Sequence, residues 1–170
     1  THTVSKELPF GSVLDTDHNF QVTSPAFTLL GLATQLTPAQ LLMAAYELCG
    51  TYSAFSPNAR TEAILSEALA KGLLAPYDGW RRVVGSRGNL LDLWKRDPIL
   101  NADELARLTK QLEGFHGIKR LRWAVSHMTG ICASPFEAKV SILLGLPKAS
   151  GGLGLAFTNN HRIALSGQAQ

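Results

Sequence analysis

Long apolar runs are missing from this sequence. Leu41 to Tyr46 is already among the longest, far short of the ~20 residues a membrane helix needs. Cysteine is scarce: Cys49 and Cys132 stand in apolar surroundings without Cys-x-x-Cys spacing, which reads as two buried free thiols in a reducing compartment. Thr1-His2-Thr3-Val4 offers neither a basic start nor an apolar signal region, so a cytoplasmic location without membrane contact is expected. A chain opening on Thr reads as an excised or processed piece. Charged residues make up only 17% of the chain against 45% hydrophobic, which excludes a disordered tail and provides for a core. With 170 residues there is material for one domain, or one domain and part of another.

The charge is unevenly placed. Residues 1–80 hold 3 basic against 7 acidic side chains, whereas residues 81–170 hold 13 basic against 6 acidic. A basic second half suits a phosphate-backbone partner, because each Lys or Arg near a phosphate releases a condensed counterion; solvated helix faces are the plainer alternative.

Local signals organise the chain into a short β element over 1–24, a helical region over 25–131, and a helix with a β-hairpin over 132–170. Leu8–Leu14 and Phe20–Thr23 read as two strands joined by a turn-rich loop. Ser24-Pro25 and Thr37-Pro38 each open a helix with an N-cap and a proline at the first helical position, and Gln40 completes a capping box. Leu41, Ala45, Leu48 and Tyr52 define one buried stripe, with Glu47 solvated on the other side. A third helix is expected from Ser56-Pro57 to Lys71, stopped by Gly72. A turn over 75–79 leads into a basic loop over 80–88. Helices follow at Asn89–Arg96 and at Asn101–Glu113, the latter begun by Asn101 as N-cap with Glu104 at the capping-box position and with Leu105, Leu108 and Leu112 inward. Ser134-Pro135 begins a helix with Phe136, Val140, Leu143 and Leu144 inward. Leu153–Phe157 and Arg162–Leu165, around Asn159-Asn160, read as a hairpin. The expected class is α+β, predominantly helical.

Two constellations carry chemistry. On a helix expected from Phe115 to Thr129, Ile118, Leu121, Val125 and Met128 line one side, and His116, Arg120, Trp123 and His127 the other, with Lys119 beside them. Guanidinium and indole together suit phosphate contact with base stacking, although a Trp at helical spacing is more often core. The two histidines, about 16 Å apart along such a helix, cannot share a metal. Glu137, third after the Ser134 cap, is placed to reach back to the cap and to favour the helix dipole.

Val22–Ala33, Tyr46–Tyr52, Ala133-Ser134-Pro135-Phe136-Glu137-Ala138-Lys139 and Leu143-Leu144-Gly145-Leu146-Pro147 together resemble a group of bacterial proteins, many actinobacterial. In these a helical region precedes a restriction-endonuclease-like PD-(D/E)xK domain related to very-short-patch-repair endonucleases and to the AbiEi-type antitoxin group. The resemblance implies that Glu137 lies on the first helix of that core and assists magnesium binding, and that an Asp hairpin and a Glu-x-Lys strand follow. The sequence departs from that pattern: the 33 residues after Glu137 contain no Asp or Glu, and one carboxylate cannot assemble the ligands of Mg²⁺. The expectation is therefore a catalytically silent region of a nuclease-like protein, without a cofactor of its own. It would contact DNA through Arg81, Arg82, Arg87, Lys119, Arg120 and Trp123. A protein-interaction module of antitoxin type is the alternative.

Overall fold

The computed structural model describes residues 7–16, 19–71 and 81–160. Among these residues, six helices and two small antiparallel sheets make a mixed α+β fold. β1 (Val13–Asp15) pairs with β2 (Gln21–Thr23) in the register Leu14↔Val22, and the ladder runs on through Ser24 N–H donating to Ser12 O at 2.9 Å. Next come α1 (Pro25–Leu32) and α2 (Pro38–Cys49), followed by β3 (Tyr52–Ser53) and α3 (Ala59–Ala70). β4 (Arg81–Val84) and β5 (Leu90–Lys95) precede α4 (Ala102–Gln111), α5 (Ile118–Ser126) and α6 (Pro135–Gly145), with a 3-10 turn at Lys148–Ser150.

The caps read from sequence are in place. Ser24 Oγ accepts from Phe27 N–H at 3.3 Å, and Thr37 and Gln40 form the reciprocal capping box at 3.0 and 3.3 Å. Asn101 Oδ1 accepts from Asp103 N–H at 2.8 Å and Glu104 N–H at 3.3 Å, so the side chain of Asn101 holds the first turn of α4. The third helix starts later than Ser56-Pro57 implies, because Asn58 is its cap, its Oδ1 accepting from Thr61 N–H at 2.9 Å. Gly72, the turn over 75–79 and Trp80 lie outside the described residues.

α2 is the central strut. Leu41, Leu42, Ala45, Tyr46 and Cys49 are buried along it, and it packs on α1, α5 and α6. Tyr52 is buried as expected, but on β3 beyond the helix end. α5 contributes Ile118, Leu121 and Ala124 to the core, and α4 and its C-cap contribute Leu105 and Leu112.

Three expectations are corrected. The segment 89–96 is a strand: β5 is the middle of the sheet β3-β5-β4, so Arg81–Val84 and Leu90–Lys95 form a hairpin around the turn Gly85–Gly88. Gly88, at φ +77°, supplies the left-handed residue of that turn, which Gly85 N–H closes by donating to Asn89 O at 2.7 Å. The inward face of α6 is Ala138, Ser141 and Ile142, whereas Phe136 is 75% and Leu143 55% exposed. Small residues let α6 approach α2 closely, and the large ones are left outside. Finally, Leu153–Phe157 is not a strand. The amides of Leu153, Gly154 and Leu155 each donate at 2.8 Å to the carbonyls of Leu143, Leu146 and Leu144, satisfying the end of α6 in place of a partner strand. Arg162–Leu165 lies outside the described residues.

Candidate nucleic-acid interface

The basic residues singled out in the sequence fall into two separate places. Arg81 and Arg87 are exposed on the β4–β5 hairpin. Arg82, between them, is committed elsewhere. Its guanidinium donates to Leu91 O at 2.9 Å and pairs with Asp92 at 3.0 Å and Glu62 at 3.4 Å, 5.5 Å from the centre of the Trp94 ring. The hairpin connects to the C-terminal end of α2. There Arg96, just past β5, donates from Nη1 to Gly50 O at 3.2 Å and from Nη2 to Glu47 O at 2.6 Å.

Lys119, Arg120 and Trp123 lie at the other end of α2, roughly 18 Å away along its twelve residues. α5 begins only at Ile118, with Gly117 at φ +88° as its N-cap; His116 therefore precedes the helix and is exposed, and does not share a helical face with His127. Gly117 is required here both by its backbone angle and by space, since a Cβ would sit 2.9 Å from Leu30 O. Lys119 and Arg120 occupy the first turn of α5, which holds no acidic residue. Two cations at the positive end of a helix dipole are a local cost of about 0.3–1 kcal/mol each.

These residues line a cavity of about 570 Å³ together with Thr37, Pro38, Ala39 and Leu41 of α2, and Leu146, Ala149 and Ser150 behind α6. The Arg120 guanidinium is oriented by donating to Leu36 O. Trp123 is half-buried and leans on the core, and its ring is braced by His127, whose ring centre lies 4.5 Å away at 32°. The His127 Nδ1–H donates to Trp123 O at 2.7 Å, fixing that brace. A second hollow of about 500 Å³ adjoins the first through Ala39, Leu146 and Ser150, with Lys139 in its wall. Among the described residues, no Asp or Glu lines either hollow. Lys139, exposed on α6, was not singled out in the sequence; its spacing gives no periodic signal, and only the fold brings it into the hollow that adjoins the one lined by Lys119, while Lys148 is exposed on the turn that carries Ala149 and Ser150.

Glu137 sits elsewhere, in a polar knot. Its Oε2 accepts from Ala133 N–H at 2.8 Å and Asn160 Nδ2 at 3.2 Å, and its Oε1 from Ser134 Oγ at 3.1 Å. Burial opposes its charge, but these donors, with Lys95 nearby, hold its carboxyl below the usual carboxylate value. Asn159 continues the knot: its Nδ2 donates to Thr129 Oγ1 at 3.0 Å, and its Oδ1 accepts from Ser141 Oγ at 2.9 Å. Thr129 in turn meets Tyr46 Oη at 3.0 Å. The residues present do not fit a magnesium ion, because the one carboxylate is already surrounded by N–H and O–H donors where a metal would require further anionic oxygens. Among the described residues, no group of three His, Cys, Asp or Glu is placed to hold a metal.

Both thiols are buried, and burial pushes each up to about 11; Arg96 moderates Cys49, and the Ser141 hydroxyl moderates Cys132. Glu47 is not solvated as its spacing implied: it accepts from Ser53 Oγ at 2.7 Å and Ala54 N–H at 3.1 Å, tying β3 to α2. Among the described residues no helix is long and apolar enough to cross a membrane. Comparison with known proteins finds no family model, no curated protein and no solved structure that matches this chain.

Proposed function

We propose that this chain binds nucleic acid without catalysis, as an accessory region of a nuclease-like protein, through the cationic end of α2 and not through the β4–β5 hairpin. The observation that carries the reading is the pair of adjoining hollows edged by Lys119, Arg120 and Lys139, with Trp123 in the wall and no carboxylate among the described lining residues. Phosphate contacts supply affinity by counterion release, and the indole supplies a stacking surface. Arg82 drops out of the contact set because Asp92 and Glu62 already neutralise it. The carboxylate of Glu137, enclosed by hydrogen-bond donors, serves the α6 cap and the tail that crosses it, a role that needs no reaction.

Fluorescence anisotropy with a labelled single strand of about twelve nucleotides, within the ~4–16 that small binding folds cover, tests this at two salt concentrations. Lys119, Lys139 and Lys148 are exposed, so changing all three to Glu should leave the fold intact, weaken binding by more than about tenfold, and flatten the salt dependence. No binding at low salt, or a triple variant that binds like the parent, overturns the proposal. A protein-interaction role is favoured by a different observation: Phe136, Leu143, Leu153 and Leu155 are all at least half exposed. Association that persists after nuclease treatment and is lost in Phe136→Ser/Leu143→Ser would support it.

A further inference from the structure

Resting on the nucleic-acid reading above, we infer that the cavity at the N-terminal end of α2 takes one unstacked nucleobase against Trp123, with its flanking phosphates on Lys119 and Arg120, so that single strands are selected over duplex. A flat basic surface would suffice for a duplex backbone; this site is concave. Its 570 Å³ falls within the ~300–1,000 Å³ typical of pockets that enclose a small organic group. Leu146, Ala149 and Pro38 supply apolar wall, and the cations stand at its edge.

The aromatic group is also fixed in advance. Trp123 is held by the core beneath it and by His127 beside it, so docking a base orders little that is not already ordered. The same holds for Arg120: its bond to Leu36 O uses one of five guanidinium N–H donors and leaves the rest aimed from a fixed position. A phosphate beside Lys119 and Arg120 also meets the positive end of α5, where two cations otherwise stand unfavourably. A paired base would have to be extruded from its stack before it could enter, and that cost works against duplex.

The test compares four probes on the unaltered protein: a thymidine strand of about twelve nucleotides, an abasic strand of the same length, the matching duplex, and thymidine monophosphate as competitor. The thymidine strand should bind about tenfold or more tighter than the abasic strand and the duplex, the gain expected for one stacked base. Thymidine and abasic strands should share one salt slope, since their phosphates are alike. Trp123→Leu should erase the thymidine advantage and leave abasic binding unchanged; should that variant fail to fold, the parent's own comparison still decides. Equal binding of thymidine and abasic strands overturns the base pocket and leaves the cationic face standing. Tighter binding of duplex, or competition by the mononucleotide at the strand's own concentration, also overturns it. If no strand binds at low salt, the nucleic-acid reading falls with it.

Discussion

Replacing Arg96 with Met tests how the two halves of the fold are joined. Arg96 is 3% exposed, and its fork donates to Glu47 O at 2.6 Å, Gly50 O at 3.2 Å and Asp97 O at 2.8 Å. The first two are carbonyls at the end of α2, where Glu47 O has a long bond from Gly50 N–H at 3.3 Å besides the guanidinium, which lies at the negative end of the helix dipole. Burial disfavours the Arg96 charge, while the Glu47 carboxylate favours it. The variant removes three charge-assisted bonds and leaves the buried Gly50 carbonyl without the donor it has from the fork, a loss of about 3–5 kcal/mol. That is a large share of the ~5–15 kcal/mol of a typical domain, and corresponds to a fall in Tm on the order of 10 °C. Urea unfolding followed by circular dichroism measures it. Arg96→Lys should recover less than half, since an ammonium cannot span three divergent carbonyls. A Met variant within about 1 kcal/mol of the parent would refute the reasoning, because it would mean that water satisfies those carbonyls as well as the fork does.

Gly50→Ala should destabilise by at least about 1–3 kcal/mol in the same assay, because a Cβ there would lie 2.5 Å from both Cys132 O and Tyr46 O. Tyr52→Phe should be neutral or slightly stabilising, since the buried Tyr52 hydroxyl has no hydrogen-bond partner in the described structure. The two thiols set an alkaline limit. Their folded values of about 11 exceed the ordinary 9.0, so their contribution to stability is complete below pH 9 and is lost as pH rises to about 11. Unfolding midpoints measured from pH 8 to 11 should fall, and dithiobis(nitrobenzoate) should label neither thiol at pH 8 without denaturant. Phe136→Ser should change stability by less than about 0.5 kcal/mol, whereas Ala138→Leu, in the packed face of α6, should cost about 1–3 kcal/mol.

What the sequence disclosed was local chemistry. Ser24, Thr37 with Gln40, Asn101 and Ser134 are legible as caps because a cap depends on residues three positions away. The orientation of α6 was not legible: periodicity favours the large Phe136 and Leu143, while tertiary packing selects the small Ala138 and Ser141. The β4–β5 hairpin has its signal in the sequence, Val83-Val84 and Leu90-Leu91 flanking a Gly-bounded turn, although the segment 89–96 taken alone reads as a helix. Arg96 left no mark in the sequence, because its burial depends on carbonyls more than forty residues upstream. Half the proposed interface was legible in Lys119, Arg120 and Trp123. Lys139 joins it only through the docking of α6 against α2.

The site itself is tested most directly by amide chemical-shift mapping during titration with the thymidine strand. The account predicts that the largest shifts cluster at Ala39, at 117–123 and at 146–151, with the β4–β5 turn unmoved. Shifts centred on Gly85–Gly88 and Arg81, with 117–123 silent, would contradict it.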